Sequence, residues 1–402
     1  MLSLIAGPSL TSSSFYGLQS HRRYAVLLPP WDDEQQALVT SFSRFCRERL
    51  AAGLPDAARA DPAAVRPLLK ALLPFGLGNG RVPATSGGLG LDAVTAGLLL
   101  EAGVEHAYDV VTPAFINETV AVILARHGQG AVRERYLAPL LAAERIGCTA
   151  NTEPSGGSDV GQTATRATPT ATGFRLRGTK VWITNGHLAD FAVVLARSDE
   201  SGALDLYVVD REAHGYLVDP LVTNGETTTA QLTFDVEVPR DHRLATDGGG
   251  LGAMLSIFQE ARALVAITAI GLAQAAQASA LAYTEGRVLF GAPLTAKQLV
   301  QAKLADSDTE IAAARGLAFH ALALKDHGRP FDLASARAKL FATEMAQRVV
   351  DRSQQLLGGY GTTPDHPVER LARLVAMSRI YEGPSDVQRL IIGRALTGRA
   401  AF

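Results

Sequence analysis

The chain has 402 residues, 47% hydrophobic and 19% charged, which is long enough for two or three domains with buried cores and too apolar for a disordered protein. A formal net charge of −2 gives no electrostatic case for nucleic acid or an anionic membrane as partner. The two cysteines, Cys46 and Cys148, have neither metal-ligand spacing nor a disulfide framework, which fits a reducing cytoplasm and no metal site.

Residues 1–30 are Ser-rich, carry Arg22 and Arg23, and contain no acid. They read as a loosely ordered extension, with a transit-peptide-like leader as the alternative. No stretch reads as the run of about 18–20 apolar residues that a membrane span needs. Residues 31–146 carry apolar side chains at helical spacing, as in Leu38, Phe42 and Phe45, and predict an N-terminal helical domain. Within them Gly88-x-Gly90-x-x-Ala93 matches a dinucleotide fingerprint, but no β-rich run precedes it and the match is discounted. Residues 147–246 change to short, alternating, β-branched runs separated by turn formers. They predict a middle antiparallel β-barrel or sandwich. Residues 247–402 return to long apolar helices and predict a C-terminal four-helix bundle, one helix starting at an Asp332 N-cap and stopping at Gly358.

Three stretches carry chemistry. "NTEPSGGSDVG", from Asn151, leaves the N–H groups around Gly156 and Gly157 open beside the Ser158 hydroxyl, which suits a phosphate. "GTKVWITNG" sets Trp182 and Thr184 two apart, so strand alternation puts a large ring and a hydroxyl on one face. "RIYEGPSDVQR" places Glu382 on a tight turn before a helix, with Ser385 and Gln388 at capping-box spacing. Taken singly, these are an interdomain loop, a core tryptophan and a surface acid.

Together with "EGRVLFGAPLTAKQ" and "QLLGGYG", and in this order, they resemble the acyl-CoA dehydrogenase flavoprotein family from about residue 31 to 402. The resemblance implies the same helical, β and four-helix layout, a bound FAD and a homodimer or homotetramer. It implies that Thr152 and Thr184 hydrogen-bond the flavin ring, Trp182 packs on it and Ser158 contacts the pyrophosphate. Arg287, Phe290, Gln298, Gln355 and Gly359 would reach the cofactor of the neighbouring subunit. Glu382 would be the catalytic base that removes the α-proton of an acyl thioester while a hydride leaves the next carbon for flavin N5. Arg262, Tyr381, Gly383 and Asn151 would face substrate, with an ordinary helix–helix ion pair as the alternative for Arg262.

Desolvation by Tyr381 and its apolar surroundings raises such a carboxyl pKa, and the following helix N-terminus lowers it. The implied substrate is an acyl-CoA or an acyl carrier protein thioester, and the implied electron acceptor is an electron-transferring flavoprotein. Pro384, Asn151 and Gln259 depart from the family's threonine, small apolar residue and acid. These departures keep two narrower readings open: carrier-protein specificity, and oxidation at the γ,δ position in secondary metabolism. A flavin oxidase or monooxygenase and a catalytically silent acyl-binding protein are the alternatives of other classes.

Overall fold

The computed structural model describes residues 31–50, 61–224, 228–246 and 249–400. The extension at 1–30 lies outside the described residues.

Helix α1 (Asp33–Phe45) starts at Asp32, whose side chain accepts from the Gln35 N–H in a capping box. It buries Val39 and Phe42; of the expected stripe only Phe42 is fully buried, while Leu38 and Phe45 are half-buried against the same core. Helix α2 (Pro62–Leu72) is capped by Asp61. The long α3 (Ala93–His127) bends at Ala107, where φ −146° and ψ 47° leave helical space. Gly103 carries no Cβ, which lets Val111 and Phe42 close in on it. Helix α4 (Gly130–Leu141) completes the N-terminal layer. The 88–93 stretch forms no strand–turn–helix fingerprint. A Cβ on Gly88 would lie 2.1 Å from the Val82 carbonyl oxygen, so that glycine serves backbone packing.

Strands β1 (Gly147–Ala150), β2 (Arg166–Pro169), β3 (Gly173–Ile183), β4 (Phe191–Ser198), β5 (Leu204–Asp210), β6 (Leu217–Pro220) and β7 (Ala230–Pro239) make one seven-stranded curled sheet. The expected all-antiparallel sheet needs correction. β4 pairs antiparallel with β5 along one edge, but its other edge takes β1 and then β2, both parallel. The chain returns from β1 and β2 through long crossings, so neighbours on that edge run the same way. The alternation of β4 divides two cores. Phe191, Val193 and Leu195 meet Val120 of α3 and Tyr136 of α4, while Ala192, Val194 and Ala196 face the interior of the curl with Phe174 and Tyr207. A short helix, α5 (Arg211–His214), turns the chain from β5 to β6.

Helices α6 (Gly249–Gly286), α7 (Gln298–Asp326), α8 (Asp332–Leu357) and α9 (Pro367–Ser378) pack as a bundle, and α10 (Ser385–Thr397) lies on α8. A two-strand ribbon, β8 (Val288–Leu289) and β9 (Ala292–Pro293), links α6 to α7. Alanines at 263, 266, 269, 273 and 276 are buried on α6, and their small side chains let helices approach closely. A buried Arg315–Glu101 ion pair at 2.6 Å ties α7 to α3. The expectation that no segment could span a membrane is corrected by length and composition. α3 and α6 each hold an 18-residue window apolar enough to span, but 83% and 78% of those windows are buried, so both are core helices. Asp332 is the first residue of α8 rather than its N-cap, which is Phe331. Its carboxylate bonds Arg262 instead.

Candidate active site

Glu382 stands in the turn between α9 and α10, on backbone with φ 53°, and Gly383 follows with φ 85°. Two successive left-handed residues are costly for any residue but glycine. The turn is held from three sides. Ser385 N–H donates to the Arg379 carbonyl at 3.0 Å. The Gly383 carbonyl accepts from Lys339 Nζ of α8 at 2.9 Å and from Gln388 Nε2 of α10 at 2.8 Å. A Cβ on Gly383 would fall 2.6 Å from that Gln388 nitrogen.

The expected Ser385–Gln388 capping box is not formed. Pro384 takes the N-cap position, so Ser385 is already helical and its Oγ is buried without a partner. The buried Gln388 amide reaches back only as far as Gly383, donating to its carbonyl.

The Glu382 carboxyl has a buried Oε2 with no hydrogen-bond partner. Burial raises its pKa above the usual carboxylate value, and the cations Lys339 and Arg262 pull it part-way back. Burial likewise pushes the Lys339 ammonium down to about 8, against the raising effect of Glu382 and Glu344. Arg262 pairs with Asp332 at 2.6 Å, the helix–helix ion pair weighed as the alternative, yet its Nε stays buried and unpaired.

The β-domain supplies the second part. Glu153 and Gly156 exchange two backbone hydrogen bonds, at 3.2 and 3.0 Å, so the chain turns sharply and leaves Gly157 and Ser158 exposed. Behind this loop Lys180 is fully buried. Its Nζ bonds the Asn151 carbonyl at 2.9 Å and Glu153 Oε1 at 2.9 Å. Glu153 also accepts from the Thr165 hydroxyl and from the Ala164 and Thr165 N–H groups. Burial would raise this carboxyl, but those four bonds outweigh it and hold it at about 2. Neither Lys180 nor Glu153 was singled out from the sequence. Strand alternation from Phe174 and Leu176 does put Lys180 on the buried face, a signal that could have found it.

Trp182 has φ 60°, and the β3–β7 register shifts between Lys180 and Ile183. The alternation argument for Trp182 and Thr184 therefore fails, because a bulge lies at Trp182 and Thr184 is past the strand. The bulge turns the indole outward, 60% exposed, as an apolar plate at the sheet's rim. Thr152, half-buried, is bridged to β3 by Val181 N–H to its carbonyl at 2.9 Å. Asn151 is buried with its Oδ1 unpartnered, and its Nδ2 has only a 3.5 Å contact to Met254 sulfur on α6.

α6 is the shared wall of the two parts. Met254 touches Asn151, and Arg262 lies about 12 Å further along the same helix. The remaining residues gather elsewhere. Arg287, Gln355 and Gly359 line a separate groove with Tyr283, Leu294 and Tyr360. Phe290 beside it is 94% exposed on left-handed backbone, and Gln298 is exposed at the start of α7. From Lys339 to Gln355 along α8 is about 24 Å, so this groove does not belong to the Glu382 turn of its own chain.

An exposed ring at a bulge, a glycine turn with open donors and an orphaned buried amide form a cradle that fits a flavin nucleotide. Among the described residues no cluster of metal ligands occurs.

Comparison with known proteins identifies the family. The chain matches family models for the N-terminal, middle and C-terminal domains of acyl-CoA dehydrogenase over residues 32–144, 148–236 and 248–397. It is 34% identical to benzylmalonyl-CoA dehydrogenase of Aromatoleum aromaticum, over 91% of this chain and 98% of that one. It is 32% identical to the human mitochondrial short-chain specific acyl-CoA dehydrogenase, over 93% and 92% of the two chains. A solved glutaryl-CoA dehydrogenase from Mycobacterium smegmatis, in complex with FADH2, superposes with a TM-score of 0.86 at 28% identity, covering 96% and 100%. The chain belongs to the acyl-CoA dehydrogenase family, FAD-dependent oxidoreductases acting on CH–CH donors.

Proposed function

We propose that the protein dehydrogenates a short acyl thioester to an enoyl thioester, with Glu382 as the base. Bound FAD supplies the hydride acceptor. Trp182 would pack on its ring, Thr152 and Thr184 would hydrogen-bond it, and Ser158 would hold the pyrophosphate beside the Gly156–Gly157 turn. The reading rests chiefly on one observation: a buried carboxylate oxygen without a partner, on a strained turn bonded from two helices.

An α-proton next to a thioester carbonyl is a weak acid. A carboxylate of raised pKa takes it more readily than a solvated one. The Glu382 N–H has no backbone acceptor among the described residues and would polarise the thioester oxygen. Tyr381 and Gly383 would flank the acyl group, and Arg262 would bias the charge at the base. Electrons would leave to an electron-transferring flavoprotein, and the assembly would be a homodimer or homotetramer.

The orphaned Asn151 amide favours a narrower reading, a functionalised or carrier-bound short acyl group oxidised at a carbon pair set by this site. A buried amide atom without a partner costs about 1–3 kcal/mol, so substrate or cofactor should satisfy it. The test is Glu382→Gln. It should keep FAD and lose dehydrogenation roughly a thousandfold, measured on saturated and unsaturated short acyl groups carried by coenzyme A and by carrier protein. Activity within tenfold of the parent would place the base elsewhere. Ready conversion of saturated acyl-CoA, unchanged by Asn151→Val, would leave only the ordinary α,β reading.

A further inference from the structure

Lys339 was not among the residues the sequence singled out, yet its side chain is fully buried on α8. A buried ammonium is costly unless something pairs with it. Among the described residues its hydrogen bond goes to the Gly383 carbonyl, in the left-handed turn that carries Glu382.

The other charges around it have partners of their own. Arg262, from α6, is held by Asp332 at the start of α8. Glu344, further along α8, faces Arg379 at the end of α9 and Arg389 of α10, each at 3.6 Å. Among the described residues Lys339 forms no close ion pair; the carboxyl whose charge acts on it most is that of Glu382, whose Oε2 is buried and unbonded.

We propose that Lys339 is a positioning residue for Glu382: it clamps the Gly383 carbonyl, fixing the turn, and sets a cation beside the base so that the carboxylate stays ionised in a dry site. The proposal rests on Glu382 being the base. The two contributions separate by chemistry. Gln388 also bonds the Gly383 carbonyl, so the turn has a second anchor, but Gln388 brings no charge. The charge is the part Gln388 does not supply; Arg262, the other cation acting on Glu382, is already paired with Asp332. A nearby positive charge favours the ionised carboxyl, so removing it makes Glu382 titrate at higher pH.

The experiment compares Lys339→Met, Lys339→Gln and Lys339→Arg in the FAD-loaded enzyme, following butyryl-CoA turnover across pH. Met and Gln should move the acid limb of kcat/KM up by about one pH unit, a tenfold loss at a pH on that limb. KM should change little, and Arg should restore the limb. A readout independent of turnover is the urea-unfolding midpoint in a double-mutant cycle with Glu382→Gln. The effect of Lys339→Gln should differ between the two backgrounds.

Superposed pH profiles for Gln and Arg, together with additive unfolding midpoints, would overturn the proposal, even if the Met variant does not fold. If Glu382→Gln retained turnover, the base assignment would fail instead. The unfolding cycle would still decide whether Lys339 and Glu382 are coupled.

Discussion

Glu382 combines two disfavoured states in one residue, a left-handed backbone and a half-buried carboxyl whose Oε2 is buried without a partner. Strain of this kind persists only where neighbours over-determine it, here through the bonds to Gly383 and Ser385. Its energetic sign is testable. A carboxyl whose pKa is raised on folding binds more protons folded than unfolded as pH passes between the two values. Stability therefore falls as pH rises from the unfolded carboxyl value through the folded one. Glu382→Gln removes that titration. The variant should unfold at higher denaturant than the parent at neutral and alkaline pH, and the gain should vanish in acid below the unfolded carboxyl pKa. A parent–variant difference that is flat across pH would show that Glu382 is not desolvated in solution.

At the level of elements, sequence patterning goes far where a single period persists. The β7 alternation and the stop of α8 at Gly358 can be read from spacing and turn chemistry, and the α1 stripe in part, through Phe42. It fails where one residue interrupts the period. The bulge at Trp182 breaks the strand rule, and Pro384 displaces Ser385 from the cap. The candidate site follows the same division. Glu382 and the Gly156–Ser158 turn stand out as local motifs. Lys339 sits mid-helix among alanines and reads as solvated until the packing of α10 on α8 buries it.

Lys180 is the corresponding buttress of the β-domain, joining β3 to the loop after β1. Lys180→Met would leave Glu153 buried without its cation. Removing one partner of a buried pair costs about 3–5 kcal/mol. The three remaining donors to Glu153 put this case at the low end. Because the Asn151 carbonyl, one residue before Thr152, hangs on Lys180, FAD retention should fall together with the urea midpoint. A variant of parental stability and full flavin content would show that the loop holds its shape without Lys180.

On the scale of the whole molecule, the Arg287–Gln355–Gly359 groove is the part a single chain leaves unexplained. It lies about 24 Å along α8 from Lys339, beyond hydrogen-bond reach of the Glu382 turn. In the segment that joins α6 to α7 and in the first turn of α7, Phe290 and Leu299 are largely exposed. Large apolar side chains left exposed near such a groove suit an interaction surface. A guanidinium fork over a narrow groove suits a pyrophosphate, as the family resemblance implies for the neighbouring subunit's cofactor. If one groove both holds a cofactor and abuts a second copy, its loss should affect both properties. Arg287→Ala should weaken FAD binding by about 10–100-fold, the loss of one charged hydrogen-bonding contact of about 1.5–3 kcal/mol. It should also shift the sedimentation profile toward smaller species, and added FAD should partly reverse that shift because a ligand bound across subunits stabilises their association. Loss of FAD from an intact oligomer would assign Arg287 to the cofactor alone. Unchanged occupancy and sedimentation would remove the groove from both roles and leave the exposed side chains near it to a different partner.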